Sequence, residues 1–415
     1  MHPLTLLFIL ALAASLAVEL WLLGRQVRAV RAHRDRVPPP FAATITPADH
    51  ARAADYTVEL ARVAVIERIA GAAYALAMTI GGGIAALDAA TAYTALAPLW
   101  QQVATIAAFG LLAALVGLPF DAWRTFRVEG RFGFNRTTPA LFAADALKGL
   151  AVGAVLLLPL AALLLWLMHR MGAAWWVFAF GVWAAFSVFV GWAWPRFIAP
   201  LFNRFHELEA GSLRDAVESL ARRCGFEPRG VYVMDGSRRS THGNAYFTGL
   251  GRNKRIVFFD TLVAALAPAE LQAVLAHELG HYRLRHVALR LAVSLGAAFA
   301  GFALLSWLGR QPWFQPALGV AAGGPHTLLL LFMVAAPAFL FGLRPLLALL
   351  SRRHEFAADR YAAEHADAAA LADALVKLYR DNASTLTPDP VYTAFHASHP
   401  PALARIARLA PERHA

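Results

Sequence analysis

The 415-residue chain has one cysteine, scarce lysine and few charges for its length. The lone Cys224 excludes an internal disulfide and any cysteine-ligated zinc cluster, and reads as a core or surface thiol. Charged residues make up 16% of the chain against 59% hydrophobic, a balance that argues against a pair of soluble domains. Internal repeats and long low-complexity tracts are lacking too. What the chain does have is long apolar runs. Candidate spans are Leu4–Leu23, about Val65–Leu87, Leu99–Phe120, Leu147–Met168, Ala174–Trp194, Val287–Leu308 and Thr327–Leu350. Each approaches or exceeds the ~20 residues a helix needs to cross ~30 Å of hydrocarbon. The second is the weakest, because Gly81-Gly82-Gly83 sits near its end. About seven membrane helices are expected.

A net charge of +11 invites a nucleic-acid reading, which its distribution refutes. Arg25, Arg28, Arg31, Arg34, Arg36 and Arg52 follow the first span, and Arg124, Arg127, Arg131 and Arg136 follow the third. The segments after spans two, four and six hold almost none, with Arg170 and Arg310 alone at the boundaries. That alternation is the positive-inside pattern. It puts the N-terminus outside and the C-terminus inside, with basic loops facing the cytoplasm and anionic lipid rather than DNA. The first span lacks a basic leader, is long for a signal peptide and ends in arginines, so it reads as a signal anchor. Asn135-Arg-Thr and Asn382-Ala-Ser match glycan acceptor sites, but on this topology neither faces a glycosylating compartment.

His277-Glu278-Leu279-Gly280-His281 stands in a helix-forming apolar run, Leu271 to Tyr282. Histidines four apart lie on one helix face, so two imidazoles can converge on one metal ion, with Glu278 placed to take a proton from a metal-bound water; the alternative is two solvated histidines near a membrane boundary. Pro268 and Glu270 suit the first turn of such a helix. Catalytic zinc wants a third protein ligand. Downstream, Glu355 and Asp359 are also four apart. Glu355 is a candidate ligand and Asp359 a candidate partner for the free N–H of a ligand histidine. The alternative is a solvated helix start in which both acids pair Arg352, Arg353 or Arg360.

Polar content concentrates in residues 196–286 and 351–415, on the cytoplasmic side, and these are expected to fold into one catalytic domain. The boundaries expected are an N-terminal membrane region, 1–195, with about five spans; a catalytic segment, 196–286; two membrane helices, 287–350; and a C-terminal catalytic segment, 351–415. Leu213–Cys224 reads as an amphipathic helix, and Val231–Met234, Asn244–Phe247 and Arg255–Phe259 as strands, with a turn at 249–254. Residues 32–56, with Pro38-Pro39-Pro40, read as a linker. If Asn244–Phe247 is an edge strand facing the cleft, an extended peptide can add to it by main-chain hydrogen bonds; otherwise it is an ordinary hairpin strand.

Together these residues resemble the type I CAAX prenyl proteases, which are integral-membrane zinc metalloproteases. The matching stretches are Ser240-Thr-His-Gly-Asn-Ala-Tyr-Phe-Thr-Gly249, Ile256-Val-Phe-Phe-Asp-Thr-Leu262, Val274-Leu-Ala-His-Glu-Leu-Gly-His-Tyr282, Arg353-His-Glu-Phe-Ala-Ala-Asp359 and Ser398-His-Pro-Pro401. The stretch Gly130-Arg-Phe-Gly-Phe-Asn-Arg-Thr-Thr-Pro139 also looks like that family's loop after its third span. The resemblance implies an all-α polytopic membrane protein carrying a cytoplasmic α+β, zincin-like protease domain, with a water-filled chamber among its helices. It implies one zinc ion held by His277, His281 and Glu355, with Glu278 as general base and acid and Asp359 behind the ligands. It maps transition-state contacts onto Asn244, His399 and Arg405. Gly243, where many members carry serine, and Ala404, where an acid often precedes the arginine, depart from the pattern outside the ligand set. His2, His33, His50, His169, His206, His286, His326 and His365 show no partner pattern and read as surface residues.

The function expected is a membrane zinc endopeptidase cutting near the C-terminus of prenylated or membrane-associated peptides, acting as a monomer in the bilayer without nucleic acid. Its alanine- and arginine-rich, lysine-poor composition points to a bacterial inner membrane, where prenylated substrates need not exist. One alternative is a quality-control metalloprotease without prenyl specificity; those are shorter, with fewer spans. Another, of a different class, is a transporter or lipid-binding scaffold with a degenerate protease domain, against which the intact ligand and base residues argue.

Overall fold

A computed structural model describes residues 1–226, 230–248 and 255–409. Among the described residues, six helical stretches are long and apolar enough to cross a membrane: Pro3–Ala32, Pro98–Glu129, Pro139–Arg170, Gly172–Phe202, His286–Gly309 and Pro325–His365. A seventh is the pair Pro47–Met78 and Gly83–Ala92, bent by 53°. The break falls at the glycine run, where Gly82 adopts φ 78°, a left-handed conformation that costs glycine little. The expectation of about seven spans therefore holds, with the second one broken.

The linker expected over 32–56 is shorter than its proline content implied. The Pro47–Met78 helix begins inside it, with Pro47 at its first position and the Thr46 hydroxyl accepting from the Asp49 N–H at 3.1 Å. Only Pro39–Phe41, a single 3₁₀ turn, interrupts the remainder.

Outside the long helices the chain builds a four-stranded sheet in the order β1 (Phe205–Glu207), β2 (Val231–Met234), β4 (Arg255–Phe259), β3 (Ala245–Thr248). β2 and β4 run parallel, and β1 and β3 flank them antiparallel. β3, one residue later than expected, is thus an edge strand. The turn expected at 249–254 lies outside the described residues. Val231, Val233, Ile256 and Phe258 project from the central strands into a core shared with Val217 and Leu220 of the Ser212–Arg223 helix. The helix Pro268–Arg283 packs on the same core through Leu271, Leu275 and Leu279, each 1% exposed or less. Truncating such a leucine to alanine costs about 2–5 kcal/mol.

Two ties fasten the tail to the membrane helices at this end. Arg25 grips Asp389 through both carboxylate oxygens, and Arg352 donates to the carbonyls of Thr393 and Ala397 at the end of the short helix Pro390–His396. Arg239, between β2 and β3, likewise grips Asp145 in the Pro139–Arg170 helix, so the basic loops, the sheet and the tail lie together at one end of the helices.

Candidate metal centre

The motif helix starts where the sequence signals place it. Pro268 takes the first position, and the Glu270 carboxylate accepts from the Ala267 N–H at 2.7 Å and from Lys377 at 2.8 Å. With one face committed to the core by leucines, His277 and His281 emerge together on another. Opposite them runs the helix Arg344–His365, carrying Glu355 and Asp359. The two helices approach closely at Gly280. A Cβ there would lie 3.1 Å from the Ala358 Cα and 3.2 Å from its carbonyl oxygen, so glycine facing alanine brings the acid face within ligand reach.

One ligand atom each from His277, His281 and Glu355 lies within 4.8 Å of the other two. His281 Nε2 is 3.2 Å from Glu355 Oε1 and His277 Nε2 is 3.4 Å from Oε2. Glu355 Oε2 is buried without a hydrogen-bond partner among the described residues, and so is free to ligate. Two imidazole nitrogens and a carboxylate oxygen are a donor set that suits catalytic zinc, which leaves a fourth position for reactants. The residues fit the metal that the motif implies.

Asp359 lies behind the cluster, its Oδ1 2.9 Å from His277 Nδ1. Arg405, buried on the tail helix Ala402–Leu409, donates to both Asp359 oxygens. Burial pushes the His277 pKa down, but the Asp359 and Glu355 carboxylates more than offset it, leaving it raised to about 9 in the metal-free site. Burial also raises the Glu278 carboxyl above its ordinary value, against the pull of His277 and His281. That shift moves a carboxyl toward the range where it both takes and returns a proton near neutral pH.

A cavity of about 460 Å³ opens over the cluster, lined by His277, Glu278, Asn244, Tyr379, His399 and Arg405 among others. Of the three contacts expected around a scissile carbonyl, Asn244 and His399 face it openly. The His399 Nε2 is 3.5 Å from Glu355 Oε2, and Ser398 Oγ holds its Nδ1 at 2.9 Å. The Asn244 side chain accepts from the Ala245 N–H at 2.8 Å. Arg405 differs: its guanidinium is committed to Asp359.

Several contributors escaped the sequence reading. His286 is not a surface residue; it is buried, with Nδ1 3.0 Å from His281 Nδ1. His50 and His326 are buried too, His50 on the His33 carbonyl and His326 on Asp88. Tyr379 borders the cavity, and burial raises its phenol, keeping it a proton donor. No short motif marks a phenol that only the packing of the Ala368–Asp381 helix brings to the cavity.

The chain matches known proteins along nearly its whole length. A family model described as CAAX prenyl protease N-terminal, five membrane helices, matches residues 26–204, and that of peptidase family M48 matches residues 207–413. The chain is 37% identical over 301 residues to the CAAX prenyl protease 1 homolog of Arabidopsis thaliana, covering 70% of this chain and 69% of that one. To CAAX prenyl protease 1 of Saccharomyces cerevisiae it is 35% identical over 329 residues, covering 74% and 72%. The crystal structure of S. mikatae Ste24p superposes with a TM-score of 0.91 at 28% identity, covering 99% of both chains.

Proposed function

The chain belongs to peptidase family M48 in its CAAX prenyl protease form, a membrane metalloendopeptidase, and on that premise we propose how it cuts and what it cuts. One zinc ion per chain would be held by His277, His281 and Glu355. The observation that carries this reading is the convergence of those three side chains beneath a cavity that Glu278 also lines.

The bound ion supplies a Lewis acid that acidifies water and polarises a peptide carbonyl. Glu278 takes a proton from the attacking water on its carboxylate and returns it to the departing amide nitrogen. Asn244 and His399, on the cavity wall, donate to the carbonyl oxygen as it gains negative charge. Asp359 fixes His277 with its Nδ1 protonated and its Nε2 turned to the ligand cluster, and Arg405 holds Asp359. The edge position of β3 beside Asn244 supports an extended peptide lying along it, with main-chain hydrogen bonds setting its register.

The substrate class is a prenylated or membrane-associated peptide cut near its C-terminus. Gathering of the basic loops and the metal centre at one end of the helices supports a cytoplasmic active site under the positive-inside rule. The lysine-poor, arginine-rich composition supports a bacterial inner membrane. The test is cleavage of matched prenylated and unprenylated peptides by the purified protein, with the cut mapped by mass spectrometry. Faster cleavage of the prenylated peptide, three residues from its end, is expected. Equal rates with scattered cuts would favour a general quality-control protease.

A further inference from the structure

His277 and His281 meet unlike partners on the side away from the ligand cluster. His277 Nδ1 faces the Asp359 carboxylate at 2.9 Å. His281 Nδ1 faces another imidazole, His286 Nδ1, at 3.0 Å. The contact depends on an unusual backbone. The motif helix ends at Arg283 and the next begins at His286, and between them Arg285 takes φ 57°, a left-handed conformation rare for a residue with a side chain. That reversal folds His286 back beneath the ring five residues earlier. His354, next to the ligand Glu355, then stacks on His286 with ring centres 4.1 Å apart and planes 8° from parallel. Both rings are buried, at 6% and 7% exposure.

We propose that His286 is the positioning residue of His281, fixing its tautomer and ring plane for the metal, with His354 holding His286 in place. This rests on the reading that His281 is a ligand through Nε2. A ring that offers its Nε2 lone pair carries its proton on Nδ1, so His281 donates and His286 Nδ1 accepts, leaving the His286 proton on Nε2. The acceptor is uncharged. With Glu278, Glu355 and Asp359 already at the centre, an imidazole orients His281 without adding a further buried negative charge. A partner of this kind adds to metal affinity by fixing the ligand before the ion arrives.

The test uses purified full-length protein, stripped of metal and titrated with zinc against a chromogenic chelator. His286→Ala removes the acceptor and should weaken zinc binding by about 10–100-fold. His286→Asn, whose Oδ1 takes the place of Nδ1, should recover most of that loss, which a merely space-filling role does not predict. Affinity in His286→Ala within about twofold of the parent, or equal weakness in the alanine and asparagine variants, would overturn the assignment. Should His286→Ala fail to fold, the asparagine variant decides: near-parental affinity supports the proposal and a loss as large as about 10-fold sinks it. Zinc held undiminished by His281→Ala would overturn the ligand reading beneath it instead.

Discussion

Arg405 binds Asp359 through both carboxylate oxygens, Nε to Oδ2 at 2.8 Å and Nη2 to Oδ1 at 2.5 Å, across 46 residues of chain. Both side chains are buried, and Nε and Nη2 face the carboxylate while Arg405 also borders the cavity over the cluster. Breaking a buried pair by removing one partner leaves an uncompensated charge, a loss of about 3–5 kcal/mol. Arg405→Ala is therefore expected to lower the melting temperature and the zinc content, and to reduce kcat while KM changes little. A variant with parental stability and a raised KM alone would return Arg405 to the role of a substrate-carboxylate contact.

Glu278 borders the same cavity but contributes no atom to the ligand cluster. Glu278→Gln keeps the volume and loses the base. The expected result is about one zinc per chain, as in the parent, with turnover down by roughly 10²–10⁴-fold or more. Metal analysis and single-turnover cleavage on one preparation separate the two effects. Near-normal turnover would remove Glu278 from the proton transfers.

The carboxylates around His277 give the metal-free protein a distinct pH response. Its folded pKa, about 9, lies above the ordinary histidine value of 6.5. The stabilisation from protonated His277 is therefore complete below about pH 6.5 and lost as pH rises through about 9. Metal binding runs the other way, because the ion must displace that proton. Zinc affinity should fall by about tenfold per pH unit on going down from pH 9, from this group alone. Calorimetry in buffers of different ionisation enthalpy should register proton uptake by buffer as zinc binds at pH 7. Binding with no proton release would contradict it.

How much of this was legible in the sequence depends on distance along the chain. The membrane helices, the motif helix from Pro268 and the pairing of Glu355 with Asp359 rest on periodicity within one element, and they stand as read. The helix start at Pro47 carries a Thr46 cap that the prolines just before it obscure. His286 was hidden for another reason. Its contact with His281 depends on a left-handed turn at Arg285, a position where sequence preference predicts nothing of the kind. Gly280 and Ala358 likewise look unremarkable until the two helices cross on them.

The open side of the cavity carries two side chains outside the ligand cluster, Asn244 and His399. Asn244 follows the loop that Asn382 fastens from the tail side, accepting from the Gly243 N–H at 3.1 Å and donating to its carbonyl at 3.3 Å. His399 also reaches the cluster and is the more solvent-accessible of the two groups facing Glu355 Oε2, at 62% against 8% for His277. Neither Asn244 nor His399 belongs to the ligand cluster. Donors aimed at a developing oxyanion act mainly in the transition state. Asn244→Ala and His399→Ala should therefore lower kcat by about 10²–10³-fold while peptide affinity and zinc content stay near parental values. Equilibrium binding of a labelled peptide to the metal-loaded Glu278→Gln background, set beside single-turnover rates, gives both quantities. If affinity falls as steeply as rate, the two side chains grip the ground-state peptide; if neither changes, this wall of the cavity is structural only.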